Sequence, residues 1–250
     1  AGAAAATTPR TRFMRHLVEE SRSQQRHRDA GGSIADGTSV LPVPALLRRL
    51  SAPRRIDLTG LGIGDDAAFA LAVALPDVPT VAELSIRACR LTDESLAKVC
   101  TVATQLKSLK WLDCSENDFD SSTAILRKYL AEPDCSLEYL GLDSADIDDT
   151  ECVEIMSAIE RNTTLESLSL ARNLIGQDEL NNTLNDDIVT GGEAIASMLY
   201  ANKALTHLDL SWNYIRKKSA QEVAKALRHN RALRSLKIAY NMLGNLPAQE

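Results

Sequence analysis

One apolar pattern recurs seven times along this chain, and its spacing leaves few architectures open. "LTHLDLSWNYI" from Leu205 is matched by "LKWLDCSENDF" from Leu109, "LEYLGLDSADI" from Leu137, "LESLSLARNLI" from Leu165 and "LRSLKIAYNML" from Leu233. Weaker copies are "VAELSIRACRL" from Val81 and "PRRIDLTGLGI" from Pro53. The fourth positions are Ile56, Leu84, Leu112, Leu140, Leu168, Leu208 and Leu236, so the separations are 28, 28, 28, 28, 40 and 28 residues. A period of this length describes stacked units of a strand and a return element, none of which can bury its apolar face alone.

Within each unit the residue types carry distinct roles. Positions one, four, six and eleven are expected to point inward and stack on their counterparts. Asn117, Asn173, Asn213 and Asn241 fill position nine, where a buried amide can bond main-chain groups left unpaired by the turn. Cys89 is a substitute there, whereas Leu61 and Ala145 give up the side-chain bonds, and a looser turn is expected in those two repeats. Helical spacing follows the strands, as in Ala67, Leu71, Ala74 and Leu75, in Val153, Met156 and Ile159, and in Ala220, Val223, Ala224 and Leu227. Ser219 with Glu222 fits the capping box S-x-x-E. "NTTL", "NKAL" and "NRAL" place an asparagine at the joint from helix to strand.

The 40-residue repeat holds twelve extra residues within "GQDELNNTLNDDIVTGG". They are expected to form a loop near 177–190, between strand and helix, with Asp178, Glu179, Asp186 and Asp187 and no basic residue. No EF-hand spacing is present, and insertions in such arrays map to loops, so deleting Gln177 to Thr190 is expected to leave the fold intact.

The period, the full helix per repeat and the "N-x-x-L" joint resemble the ribonuclease-inhibitor-like leucine-rich repeats, over about Leu41 to Leu243. The resemblance implies an α/β fold: a right-handed horseshoe solenoid of about seven 28-residue repeats, parallel strands on the concave side and helices on the convex side. "LPVPALLRRL" resembles an entry helix capping the first strand. The family includes the ribonuclease inhibitor, innate-immune sensor regions, the Ran GTPase-activating protein, tropomodulin-type actin regulators and ciliary subunits. Its members share no catalytic residues to carry over, and the fold does not choose among their functions.

Residues 41–250 are therefore read as one repeat domain, and residues 1–40 as a largely flexible tail with a short helix around Phe13 to Ser21. A net charge of −6 argues against a nucleic-acid footprint, and no apolar run reaches the roughly 18 residues that span a bilayer. Five cysteines without a C-x-x-C pair read as reduced packing residues, which points to the cytoplasm, with cytoskeletal or ciliary settings as alternatives. His207 with Asp209 lacks a nucleophile signature, and "GLGIGD" lacks the Lys-Ser/Thr ending of a phosphate loop. Neither an enzyme, a cofactor nor a metal site is expected.

What remains is a binding surface. Position three reads Arg55, Glu83, Trp111, Tyr139, Ser167, His207 and Ser235, and position eight reads Gly60, Ala88, Glu116, Ser144, Arg172, Trp212 and Tyr240. Positions two, three, five, seven and eight are expected on the concave side by strand alternation. Trp111 beside Tyr139, and Trp212 beside Tyr240, would anchor a protein partner. Asp113, Glu116, Glu138, Asp143 and Glu166 lie between them, relieved mainly by Lys110 and Arg172, and favour a basic partner surface. A scaffold or recruiting subunit is expected, with an enzyme regulator, either inhibitor or GTPase activator, as the alternative. The edge of the last repeat, with Leu233, Leu236, Ile238 and Leu243, is expected to be covered by further repeats, a cap or a partner.

Overall fold

The computed structural model describes residues 54–120, 122–180 and 189–243. The N-terminal tail, the proposed entry helix and the middle of the insertion lie outside the described residues. Seven three-residue strands form one parallel sheet in chain order: β1 (Arg55–Asp57), β2 (Glu83–Ser85), β3 (Trp111–Asp113), β4 (Tyr139–Gly141), β5 (Ser167–Ser169), β6 (His207–Asp209) and β7 (Ser235–Lys237). Between them run helices α1 (Gly64–Ala74), α2 (Asp93–Ala103), α3 (Ser122–Leu130), α4 (Asp149–Ile159), α5 (Gln177–Leu180), α6 (Gly191–Ala201) and α7 (Lys217–His229). The fourth positions pair in register, Ile56 with Leu84 and on to Leu208 with Leu236, so the sequence period is the physical stacking period.

The core runs along this stack. Ile56, Leu84, Leu112 and Leu140 are fully buried, as are Leu58, Ile86, Cys114 and Leu142 at position six. Each such leucine stabilises the fold by roughly 1.5–3 kcal/mol relative to exposure. All five cysteines are buried free thiols, and burial pushes the Cys152 thiol far up, so they behave as packing groups.

Two asparagine ladders tie neighbouring repeats together. Asn117 Oδ1 accepts from the Cys89 and Leu91 amides of the preceding repeat, while its Nδ2 donates to the Ile86, Cys114 and Ser115 carbonyls. Asn173, Asn213 and Asn241 likewise reach back to Leu142, Leu170 and Leu210. The second ladder is at the helix-to-strand joint, where Asn202 donates to the Ile159 and Asn162 carbonyls and accepts from the Ala204 and Leu205 amides. Asn202 and Asn230 have extended backbones, so these caps work through the side-chain amide and not through the left-handed conformation associated with helix ends.

Turn shape follows position nine. Every position-eight residue is left-handed, from Gly60 (φ 69°) to Tyr240 (φ 59°). Where position nine is not asparagine, position ten is left-handed as well: Gly62 (φ 53°), Arg90 (φ 57°) and Asp146 (φ 52°). These turns are differently wound, not looser. Asn173 of the following repeat accepts from the Ala145 and Ile147 amides, and the Gly64 amide donates to the Cys89 carbonyl.

Two helix-level expectations need correction. Ser219 is not an N-cap: α7 begins two residues earlier, with Arg216 at its N-cap, and the Ser219 hydroxyl is buried 2.9 Å from Thr190 Oγ1. Capping boxes occur instead at Asp148 with Glu151 and at Thr190 with Glu193. The described start of the insertion is not loop either, since Gln177–Leu180 is helical. Buried Asp149 accepts from the Gly176, Asp178 and Gly191 amides, gripping both ends of the inserted segment. Glu179 accepts from the Lys218 amide and so supplies the cap that Arg216 cannot give α7. Removing Gln177 to Thr190 would uncap two helices.

Candidate functional site

Trp111 and Tyr139 are register partners in β3 and β4, and their rings stack with centroids 4.6 Å apart and planes 9° from parallel. A small residue makes room for the tyrosine. A Cβ on Gly141 would come 3.0 Å from the Tyr139 hydroxyl and 2.7 Å from Asp113 Oδ1. Burial, followed by the nearby Asp113 and Asp143 carboxylates, raises the Tyr139 phenol to about 12. The phenol is therefore neutral throughout the neutral pH range.

The second aromatic pair is more open. Trp212 and Tyr240 stack at 3.9 Å with planes 15° apart, and are 50% and 69% exposed. The strands span only positions three to five, so strand alternation does not orient position eight as expected. Their left-handed backbones (φ 60° and 59°) place this pair in the turn beyond the strand ends. Consecutive repeats in the same turn conformation bring the two rings together.

The acidic middle is altered by a residue that the column reading passed over. Arg87 reaches 3.2 Å to Asp143, 2.5 Å to Glu116 and 3.9 Å to Asp113, across three repeats. Burial alone would depress the Arg87 guanidinium, but these carboxylates hold it above its ordinary value. Glu138 pairs with Lys110 at 2.7 Å. Asp113 is buried and accepts from the Ser115 amide, and Asp143 accepts from the Ser169 hydroxyl and the Ala171 amide. Four of the acids that suggested a basic partner are thus paired inside the repeat array, which removes most of that argument.

Beyond this network, Tyr139, Ser167, Ser169, His207, Asp209 and Lys237 border a shallow groove of about 190 Å³ on the sheet. The serines leave it open between larger neighbours. His207 is exposed, its Nδ1 2.8 Å from Thr206 Oγ1. Asp209 accepts from the Ser211 amide and lies 3.2 Å from Lys237. Burial opposes ionisation of Asp209, but these partners bring its carboxyl below the ordinary range. His207 and Asp209 thus have separate partners and do not form a dyad. Among the described residues, no group of three or more His, Cys, Asp or Glu side chains could hold a metal ion, and no helix is long and apolar enough to cross a membrane.

Comparison with known proteins agrees with the repeat. A family model described as Leucine Rich repeat matches residues 201–224. Ribonuclease inhibitor from Sus scrofa is 28% identical over 214 residues, covering 85% of this chain and 44% of the inhibitor. Human NACHT, LRR and PYD domains-containing protein 14 is 28% identical over 193 residues, covering 70% of this chain and 18% of that protein. The chain thus spans less than half the length of these relatives. The solved structure of leiomodin-1 Actin-Binding Site 2 aligns with a TM-score of 0.42 at 19% identity, over 74% of this chain and 83% of that one.

Proposed function

Because the chain is a leucine-rich-repeat protein of the ribonuclease-inhibitor-like type, we propose that it is a protein-binding module whose concave face and adjoining turns dock another protein. Its role is that of a scaffold or recruiting subunit in a larger intracellular assembly. The stacked and half-exposed Trp212–Tyr240 pair carries this reading. Large aromatics left in solvent cost apolar hydration and supply most of the energy of an interface when covered. Trp111, Tyr139 and His207 extend the surface across the sheet, and Asp113, Glu116, Glu138 and Asp143 shape it through their pairs with Arg87 and Lys110. Five buried thiols outside any disulfide support a reducing, cytoplasmic setting, with cytoskeletal and ciliary assemblies as its variants.

A second reading is a regulator of an enzyme. The likeness to a ribonuclease inhibitor over 85% of the chain supports the inhibitory form, and the GTPase-activating form rests on family analogy. An affinity pull-down with mass spectrometry, comparing wild type with the Trp111→Ala, Trp212→Ala double variant, tests the proposal. Partners retained by wild type and lost by the variant support it. Identical capture by both sinks it. Nuclease inhibition and GTP-hydrolysis assays distinguish the second reading.

A further inference from the structure

The position-eight residues form a row along the turn rim. Arg172 and Trp212 are neighbours in it, both left-handed, with φ of 59° and 60°. Their turns are bonded in series: the Arg172 amide donates to the Ser211 carbonyl at 2.8 Å, and the Trp212 amide to the Ala239 carbonyl at 2.9 Å. They belong to the fifth and sixth of the seven repeats, so each has a described repeat on either side. Tyr240 covers one face of the Trp212 ring from the repeat that follows. The other face is turned to the repeat of Arg172, and Trp212 as a whole is 50% exposed.

Arg172 carries an unmatched charge. It is exposed, and among the described residues its guanidinium has no ion pair, hydrogen bond or ring contact. The other charge in the row, Glu116, is held by Arg87. The flanking columns supply no counter-ion. Position seven changes from Arg87 and Asp143 in earlier repeats to Ala171, Ser211 and Ala239 in the last three. Position ten changes from Asp118 and Asp146 to Leu174, Tyr214 and Met242. An unpaired guanidinium thus adjoins an open indole face among small and apolar neighbours. The first offers a planar donor fork that fits a carboxylate, and the second is apolar area that gains from being covered.

We infer that Arg172 and the open face of Trp212 form one subsite, whose occupant is an acidic residue adjoining an apolar one in a segment of the partner protein. The inference rests on reading the chain as a protein-binding module. The carboxylate meets the Arg172 guanidinium, and the apolar side chain lies on Trp212. The partner's charge at this place is therefore negative, opposite to the sign suggested by the acids of the concave face. Single-stranded RNA also offers a flat ring beside a negative charge. Exposed Asp118 and Asp146, on the same rim in the two preceding repeats, oppose a polyanion.

The test uses the whole chain and three probes. They are the acetylated and amidated nonapeptide (Gly-Glu-Leu)3, its counterpart with Lys in place of Glu, and a ten-nucleotide oligouridylate. The chain has two tryptophans, so two indole N–H resonances, assigned with Trp111→Phe and Trp212→Phe, report both affinity and place. The acidic peptide is expected to shift the Trp212 signal and leave that of Trp111 in place. It should bind about tenfold or more tighter than the Lys peptide, and Arg172→Glu, checked for native circular dichroism, should remove that advantage. Arg172→Gln, which only deletes the charge, should give a smaller loss and carries the test if Arg172→Glu fails to fold. No shift at Trp212, equal binding of the Lys peptide, or unchanged binding in both Arg172 variants overturns the inference. So does tighter binding of the oligouridylate at the same resonance. Pull-downs with Arg172→Glu and with Trp212→Ala separate this inference from the reading beneath it. Loss of the same partner by both variants supports the subsite. A partner lost by Trp212→Ala and kept by Arg172→Glu overturns the subsite alone. A partner kept by both, and by the Trp111→Ala, Trp212→Ala variant, overturns the aromatic binding surface as well.

Discussion

The Arg87 guanidinium lies 3.2 Å from the carboxylate of Asp143, two repeats further along the solenoid, and passes the buried Asp113 on the way. One side chain thus links three consecutive repeats through contacts that nearest-neighbour stacking does not provide. Arg87→Ala leaves Asp113 and Asp143 without this counter-charge in a partly desolvated place. We expect a loss of about 1–3 kcal/mol in denaturant unfolding, larger than for Lys110→Ala, whose pair with Glu138 is half exposed.

Asn117 makes five hydrogen bonds from a buried position, three of them to the preceding repeat. Asn117→Ala strands the Cys89 and Leu91 amides, at a cost of about 3 kcal/mol. Asn241→Ala should cost less, about 1 kcal/mol, because its repeat is only partly buried. Equal losses measured by chemical denaturation would refute the view that inter-repeat burial sets the value of each asparagine.

The insertion is predicted to be structural at its ends. Asp149→Ala removes the acceptor of three buried amides and should destabilise by about 3 kcal/mol. Deleting Gln177 to Thr190 should lower the unfolding midpoint further, since α6 and α7 also lose the Thr190 and Glu179 caps. A deletion variant as stable as wild type contradicts this.

Tyr139 gives a pH test. Its phenol is raised from 10.0 to about 12, first by burial and then by Asp113 and Asp143. The neutral form is the one the fold favours. The associated stability is fully present below about pH 10 and is lost as pH rises from about 10 towards 12. Burial also raises the Tyr129 phenol, so absorbance titration should show a late tyrosinate component that shrinks, but does not vanish, in Tyr139→Phe, and that variant should keep more of its stability across the same interval. A Tyr139 transition near 10 would mean that the ring is not held in the stack.

The repeat, the sheet order and the stacking register were readable from Leu and Asn spacing because each is a periodic consequence of a single residue's environment. The aromatic pairs followed from that register. Arg87 was not readable: it sits in a weak copy of the repeat, and its partners lie 26 to 56 residues away. The grip of Asp149 on the insertion escaped for the same reason. The S-x-x-E spacing at Ser219 misled because a local motif says nothing about Thr190 packing over it from another repeat. The left-handed conformation at position eight was hidden too, since only Gly60 among the seven residues there signals it.

Trp212 and Tyr240 offer the most direct measurement, because both are largely exposed whereas Trp111 is partly buried in its stack. With the captured partner purified, calorimetric affinity would be compared for wild type, Trp212→Ala, Tyr240→Ala and the double variant, alongside thermal unfolding. Each single truncation is expected to weaken binding by about 2 kcal/mol, with little change in the unfolding midpoint. Wild-type affinity in the double variant, with unfolding equally unchanged, would contradict a partner site built on these aromatics.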